Sequence, residues 1–278
     1  MSRRHQLAGR LAGLREVRAI LSAMKNIALM ELRALAGLLE HQRRAMATME
    51  RAAADFLCFH PPPGEGAPAA TVCIVVGSER GFCGELNEAL EAEARAVRAR
   101  GERLIAVGAR LADRLEEADG GGMLAGANVA EELPAVLQRV AEELERVQRS
   151  APPGPLHVNA VYQNPDGSGP LTRTIAPLPL PERPPRPRPY APRLTLAPSE
   201  FFAGLLEQAL LMSLQEAFSV SLIAENRRRL EQMEGALRRL DEIAARLARR
   251  LNASRQEEIT QEIEVILLSA EALAAQTA

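Results

Sequence analysis

The segment "VVGSERGFCGELN", Val75–Asn87, is the stretch of this chain whose residue types and spacing come closest to a chemical site. A β-branched run leads into Gly77, a charged turn with Gly81 and Gly84, and the start of a helix, an order that cradles phosphates in many proteins. The segment lacks the lysine of a P-loop and the spacing of a dinucleotide fingerprint, and Glu79 would repel a phosphate. Gly81 and Gly84 are therefore expected to let a strand reverse tightly into a helix. We predict a structural turn rather than a pocket, and no cofactor.

No other group of residues has a catalytic pattern: the sequence shows no Ser-His-Asp set, no isolated carboxylate pair and no metal-ligand cluster. The three cysteines, Cys58, Cys73 and Cys83, are odd in number and lack metal-ligand spacing, so we expect small buried thiols. The chain is therefore predicted to have no enzymatic activity of its own and no bound metal.

The composition indicates a protein built largely of long helices. Of the 278 residues, 47% are apolar and 25% charged, whereas only 3% are aromatic. The net charge of −2 argues against nucleic-acid binding. No apolar run approaches the roughly 20 residues that span a bilayer, and Arg15 and Arg18 interrupt any signal-peptide core. We expect a cytosolic protein, or one held at a membrane through partners.

A proline-free segment from Ser2 to about Phe59 predicts a first long helix, on the order of 80 Å in length. Its apolar stripe repeats every seven residues, as in a coiled coil, with Leu7, Leu14, Leu21, Ala28 and Leu35 on one seam and Val17, Met24 and Leu38 on the next. Arg10 and Glu31 interrupt this stripe.

The last third of the chain predicts a second helix, from about 199 to 276 and roughly 115 Å long, with Ser199 as its N-cap. Its stripe first follows a 3-4 spacing, then skips, as at a coiled-coil stutter, and resumes. The members are Leu230, Met233, Leu237, Leu240, Ala244, Leu247 and Leu251, and then Ile259, Ile263, Ile266, Ala270 and Leu273. The simplest partner for each long helix is the other, in an antiparallel pair.

Between the helices, apolar strands alternate with amphipathic helices, which predicts a mostly parallel sheet covered on both faces. The expected fold is therefore α/β plus a long antiparallel coiled coil, with a small Rossmann-like α/β domain inserted between its two helices. Predicted segments are the N-terminal helix (1–60), the α/β domain (61–178), a proline-rich linker (179–198) and the C-terminal helix (199–278).

Three motifs, in this order along the chain, resemble the γ subunit of F-type ATP synthases. They are "LSAMKNIALMELR" (Leu21–Arg33), "GSERGFCGELN" (Gly77–Asn87) and "LNASRQEEITQEIEVI" (Leu251–Ile266), the last being the most specific. The segment "LIAENRRRLEQMEGALRRLDE" also keeps the family's Glu225 and Arg229 pattern. The chain departs from the family at Ser22, at Met30-Glu31, at Glu79 and at the Leu237–Arg239 run, which indicates a divergent member; an alternative F-type ATPase operon is one source of such a chain.

The resemblance implies a polar contact with a catalytic β subunit at the point where the heptad breaks. Its residues would be Arg255, Gln256, Thr260 and Glu262, and Met24 and Lys25 of the first helix belong to the same region by resemblance. An exposed helix surface is the alternative for the polar residues, and a core position is equally compatible with Met24.

A basic segment lies earlier on the second helix and includes Arg229 and Gln232. From 225 to 256 there are nine arginines and five acidic residues, whereas 257–278 has five glutamates and no basic residue. Such a segment is either a solvated face with i,i+4 ion pairs or, as the resemblance implies, a surface that faces acidic loops of the α3β3 hexamer.

The implied function is that of the central rotor shaft, a non-catalytic subunit that couples ion-driven rotation of the membrane c-ring to conformational change at the β subunits. Expected partners are α, β, ε and the c-ring, with no nucleic acid, and the expected location is the cytoplasmic face of a bacterial inner membrane, reached only through the complex. Two other classes stay open at this point: a coiled-coil adaptor outside any ATPase, and a nucleotide-binding α/β protein with helical arms.

Overall fold

Two long helices and a five-stranded sheet make up a computed structural model of the chain that describes residues 3–61, 68–115, 122–177 and 190–277. In chain order the elements are α1 (Arg3–Leu57), β1 (Ala70–Val76), α2 (Leu86–Ala99), β2 (Arg103–Val107), α3 (Ala109–Leu115), β3 (Gly122–Leu124), a 3₁₀ turn (Ala130–Glu132), α4 (Leu133–Ser150), β4 (Leu156–Gln163), β5 (Pro170–Ala176) and α5 (Pro198–Thr277).

Both long helices are confirmed, with 55 residues in α1 and 80 in α5. The prediction that Ser199 is the N-cap of α5 is wrong, because the helix already includes Pro198 and the Phe201 amide donates to the Ala197 carbonyl at 2.9 Å. Proline is tolerated there because the first amides of a helix have no intrahelical acceptor.

The chain divides into two compact units. We call Met1–Ile27 with Glu231–Ala278 the coiled-coil unit, and Ala28–Leu230 the sheet unit. Both α1 and α5 contribute residues to each unit, so the unit boundaries lie within these helices. The bounds of the four predicted segments stay predictions, and residues 179–189 of the predicted linker lie outside the described residues.

The sheet has the strand order β3-β2-β1-β4-β5. The first four strands are parallel and β5 is antiparallel to β4, so the prediction of a mostly parallel sheet is confirmed. The sequence analysis missed β3, whose three residues are too few for a recognisable apolar pattern.

Alternation along β1 divides the core of the sheet unit into two layers. Val72, Ile74 and Val76 face one side, where they pack with apolar residues of α1, α4 and α5. Cys73 and Val75 face the other side, where α2 and α3 cover them. Because helices cover both faces, the strands are continuous apolar runs rather than alternating ones.

Gly108, which follows β2, is a position where a side chain cannot be accommodated. Its φ is +108°, and a Cβ would lie 2.6 Å from the Gly77 carbonyl oxygen. We expect Gly108→Ala to lower the free energy of unfolding by more than about 2 kcal/mol, as measured by denaturant unfolding of the full chain. Gly101→Ala is the control, because its φ of +74° imposes similar strain but a Cβ there meets nothing within 4 Å. Equal losses in both variants would contradict the steric explanation.

Candidate functional site

The glycine-rich turn after β1 lies where the strand order reverses between β1 and β4, the place at which open α/β sheets bind ligands. In this chain α5 packs against the carboxyl end of β1 at this turn. The Ser221 hydroxyl donates to the Val76 carbonyl at 3.3 Å. Phe218 and Leu222 of α5 line a cavity of about 10 Å³ at the ends of β1 and β2. Such a cavity has room for about one water molecule, not for a nucleotide.

Two carboxylates of the chain accept hydrogen bonds from backbone amides that follow β1, β2 and β3. Glu79 Oε2 accepts hydrogen bonds from the Ala109 amide at 2.9 Å and the Gly126 amide at 2.7 Å. Glu225 of α5 accepts one from the Arg80 amide. The sequence analysis treated Glu79 only as a group that repels phosphate, whereas in the structure its carboxylate joins the segments that follow β2 and β3.

The turn reverses differently from the sequence interpretation. Gly84 is left-handed with φ +60°, as a reversal requires, but the other left-handed residue is Phe82 with φ +65°. Gly81 has open space around it, so its lack of a side chain is not required there. The glycine that close packing requires is instead Gly77, where a Cβ would lie 2.5 Å from the Leu111 Cβ.

Arg229 is buried in the sheet unit, with 7% of its surface exposed. Its guanidinium forms an ion pair with Glu225, donates to Asn226 Oδ1 at 2.9 Å and lies 3.8 Å from Cys83 Sγ. Burial raises the pKa of Glu225 to about 7, although Arg229 opposes the shift. Arg229 therefore has partners within the chain and does not lie on the exposed basic face where the sequence analysis placed it.

The three cysteines are free thiols, and only two are buried as expected, since Cys58 is exposed. Burial raises the pKa of Cys73 to about 12 and that of Cys83 to about 11. We expect a maleimide at about pH 8 to label Cys58 alone, because few buried thiols are ionised or accessible at that pH. Peptide mass spectrometry would measure this, with labelling in denaturant as the control for all three sites. Rapid labelling of Cys83 in the native chain would contradict its placement.

In the coiled-coil unit the two helices run antiparallel. Ion pairs join Arg4 to Glu258 at 3.2 Å and Arg18 to Asp241 at 2.7 Å, so partner numbers fall along α5 as they rise along α1. Lys25 pairs with Glu234 at 2.8 Å and lowers the pKa of that carboxyl. Because these pairs are partly exposed, they fix the register more than they stabilise the fold.

Apolar residues form the seam of this unit as predicted, with Met233 1% exposed and Met24 half-buried beside Lys25. Met24 is thus a seam residue. Gln232 lies next to Met233 on the exposed side of α5.

The second half of the predicted stripe is not a seam. Ile259 is 46% exposed and Ile263 52% exposed, and the apolar residues that follow are also exposed: Val265, Ile266, Leu267 and Leu268. Among the residues that the structure describes, no element covers this part of α5. The antiparallel pair with α1 therefore does not cover the stripe at Ile259, Ile263 and Ile266.

Polar residues flank this apolar face in a regular way. With 3.6 residues per turn, Arg255 and Glu262 lie on one side of Ile259 and Ile263, and Gln256 and Thr260 lie on the other. All four polar side chains are exposed, and the Thr260 hydroxyl donates to the Gln256 carbonyl at 2.9 Å, which leaves its oxygen free to accept. An apolar centre with a polar rim is the usual anatomy of a protein interface. We call this surface of α5, made of Arg255, Gln256, Ile259, Thr260, Glu262 and Ile263, the tip face.

Basic residues line a groove between the two helices of the coiled-coil unit. Arg10, Arg246 and Arg250 surround apolar residues such as Leu14 and Leu247, and the groove measures about 630 Å³. None of these three guanidiniums forms an ion pair within the described ranges. Arg10, which the sequence analysis noted only as a break in the stripe, therefore adds to the basic surface of α5.

Comparisons with known proteins agree with the resemblance. The family model described as "ATP synthase" matches residues 4–273. A chain of the Euglena gracilis mitochondrial ATP synthase (OSCP/F1/c-ring, rotational state 3) is 14% identical with a TM-score of 0.58, covering 99% of this chain and 96% of its own. A chain of the Tetrahymena thermophila mitochondrial ATP synthase central stalk and c-ring is 16% identical with a TM-score of 0.54, covering 78% and 99%. No curated protein matches the sequence.

Two further searches of the described residues bear on the site. No helix among them is long and apolar enough to cross a membrane. No group of three or more His, Cys, Asp or Glu residues there could hold a metal ion.

Proposed function

The chain belongs to the ATP synthase family, and we propose that it is the γ subunit, the central rotor shaft, of an F-type complex. The observation that carries this proposal is the tip face, an apolar helix surface with a polar rim that the chain itself leaves uncovered. A patch of exposed apolar residues with a polar rim marks a surface that another protein covers.

The α3β3 hexamer supplies such a cover. Arg255, Gln256, Thr260 and Glu262 hydrogen-bond to a β subunit at one angle of the shaft and release it at the next. Met24, Lys25 and Gln232 belong to the same interface further down the coiled-coil unit, where Met24 and Lys25 also join α1 to α5. Arg229 lies outside this contact surface, because it is buried in the sheet unit, where Glu225 holds its charge.

Unpaired arginines of the coiled-coil unit suit acidic loops on the hexamer. Arg246 and Arg250, with Arg10 across the groove, present positive charge without internal partners among the described residues. Exposed charge of this kind gives attraction and register but little fixed affinity, as a shaft that turns requires.

Coupling follows from differential contacts. Each angle of the shaft presents a different surface to each catalytic β subunit, and so stabilises a different β conformation and a different nucleotide affinity. The chain contributes contacts rather than a catalytic residue. Outside the hexamer it binds ε and the c-ring, and through that complex it lies at the cytoplasmic face of a bacterial inner membrane.

Replacing Arg255, Gln256 and Thr260 together by Ala tests the proposal. When the full chain is co-expressed with α and β subunits of the same genome, we expect the complex to assemble but ATP hydrolysis to fall by about tenfold or more, because several interfacial hydrogen bonds are lost. The activity and stoichiometry of the purified complex are the measurements.

The matched control replaces Glu257, Gln261 and Glu264, exposed residues on the opposite side of the same helix, by Ala. Equal activity in the two triple variants would refute the assignment of the tip face. If the wild-type chain purified alone or as its own dimer, the adaptor function would replace the rotor function.

A further inference from the structure

A buried polar cluster joins two segments of the sheet unit that lie far apart in the sequence. Arg229 Nη2 forms the ion pair with Glu225 and lies 3.8 Å from Cys83 Sγ, 146 positions away. The Arg80 amide donates to Glu225 from the glycine-rich turn. We call Glu225, Arg229, Cys83 and the Arg80 amide the turn–helix cluster; it binds α5 to the turn that follows β1.

Packing alone does not account for an ion pair at this place. Glu225 is 4% exposed and Arg229 7% exposed, and removing such charges from water has a cost that apolar side chains of similar volume avoid. What a buried, hydrogen-bonded pair adds is direction, because a hydrogen bond weakens steeply when its angle changes. An apolar contact has no preferred angle of its own and opposes rotation of a helix only through the fit of its side chains.

A second polar contact holds α5 on another side. The Arg227 guanidinium donates to the Pro165 carbonyl at 3.0 Å, in the loop between β4 and β5. Glu225 and Ser221, four residues apart, point together toward the end of β1 and its turn. Hydrogen bonds on two sides of one helix oppose its rotation within the sheet unit.

The cluster lies at the end of the sheet unit, which closes at Leu230, and α5 continues beyond this residue without a break. We infer that the turn–helix cluster fixes the rotational angle of α5 against the sheet domain, and that Glu225 is a positioning residue for the coupling of ion flow to ATP chemistry. This inference rests on the proposed function, since the rotor role is what places a twisting load on α5.

The test uses the assembled complex in membrane vesicles, with ions transported per ATP hydrolysed as the readout. Glu225→Leu combined with Arg229→Met removes the cluster without leaving a single charge buried. We expect hydrolysis within about twofold of wild type but at least about threefold fewer ions per ATP, because a helix without directional bonds rotates under load. The single variant Glu225→Gln keeps an acceptor for the Arg80 amide, so its number of ions per ATP should equal that of wild type.

Glu40→Leu with Arg44→Met is the matched control. This pair has the same residue types and the same i,i+4 spacing, at 2.9 Å, but both side chains are exposed. The control should leave the ion-to-ATP ratio unchanged. Hydrogen exchange at the Arg80 amide is the second readout and should be about tenfold faster in the Leu/Met variant than in wild type.

A wild-type ratio in the Leu/Met variant, together with faster exchange at Arg80, would overturn the inference by showing that the cluster affects structure alone. Failure of the Leu/Met variant to assemble would overturn it as well, because the cluster would then be needed for folding rather than positioning. Failure of the proposed function itself looks different: the wild-type chain would not assemble with α and β subunits at all.

Discussion

Replacing Ile259 and Ile263 together by Asp is expected to abolish assembly with α and β subunits while leaving the folded chain as stable as before. Both side chains are about half exposed, so the free chain loses little burial. In the complex the two carboxylates would be buried without partners, at several kcal/mol each, which lowers affinity by about 10,000-fold or more. Co-purification measures assembly, and thermal unfolding of the full chain measures stability.

The matched control places the same charges on the opposite side of the helix, through Gln261→Asp with Val265→Asp. These positions are also exposed and also four residues apart. Normal assembly of the control would assign the effect to the tip face. Loss of assembly in both variants would show that added charge anywhere on this part of α5 is harmful, and would contradict a one-sided interface.

Arg229→Met is expected to lower the free energy of unfolding of the full chain by about 3–5 kcal/mol. The substitution leaves the Glu225 carboxylate buried without its cation, whereas Asn226 and Cys83 cannot replace the lost charge. Denaturant unfolding measures the change. The double variant with Glu225→Leu should recover most of the loss, because a well-packed apolar pair avoids the desolvation of two charges. A double variant as unstable as Arg229→Met alone would contradict this account.

The pH dependence of the free energy of unfolding should reveal the raised pKa of Glu225 in this pair. The pKa of Glu225 is raised in the folded state, so the folded chain holds that proton more tightly than the unfolded chain does. This group therefore favours folding at pH below its ordinary pKa and loses that contribution as pH rises through about 7. Arg229 and Glu79 are the charges that act on it, in opposite directions. Glu225→Gln should flatten the decline between about pH 5 and 8; an unchanged slope would assign the decline to other groups.

The long helices and the parallel sheet follow from local pattern, which is why the sequence predicts them. Heptad spacing and the absence of proline are read over dozens of residues, so a single break such as Arg10 does not end the helix. A short element such as β3 has too few residues to show such a pattern, so the sequence does not predict it. The start of α5 differs from the prediction because Ser199 has the side chain of an N-cap, whereas the helical hydrogen bonds begin at the Ala197 carbonyl, two residues earlier.

Burial at the site depends on distant contacts and is therefore hard to predict. Glu225 and Arg229 have the i,i+4 spacing of an exposed ion pair, and nothing near them in the sequence shows that the turn at Arg80 covers them. The burial of the stripe that begins at Ile259 also depends on contacts that the sequence does not show. Its period predicts an apolar face, but the identity of the covering surface depends on where α1 lies and on which other proteins bind.

The hydrogen bonds made by Glu79 and Glu225 also bear on what this domain can bind. α/β domains of this topology often bind the phosphates of a nucleotide through free backbone amides beside the switch point. In this chain the Ala109, Gly126 and Arg80 amides already donate to Glu79 or Glu225. A phosphate would bind these amides only by displacing a carboxylate, which would then lose its own hydrogen bonds.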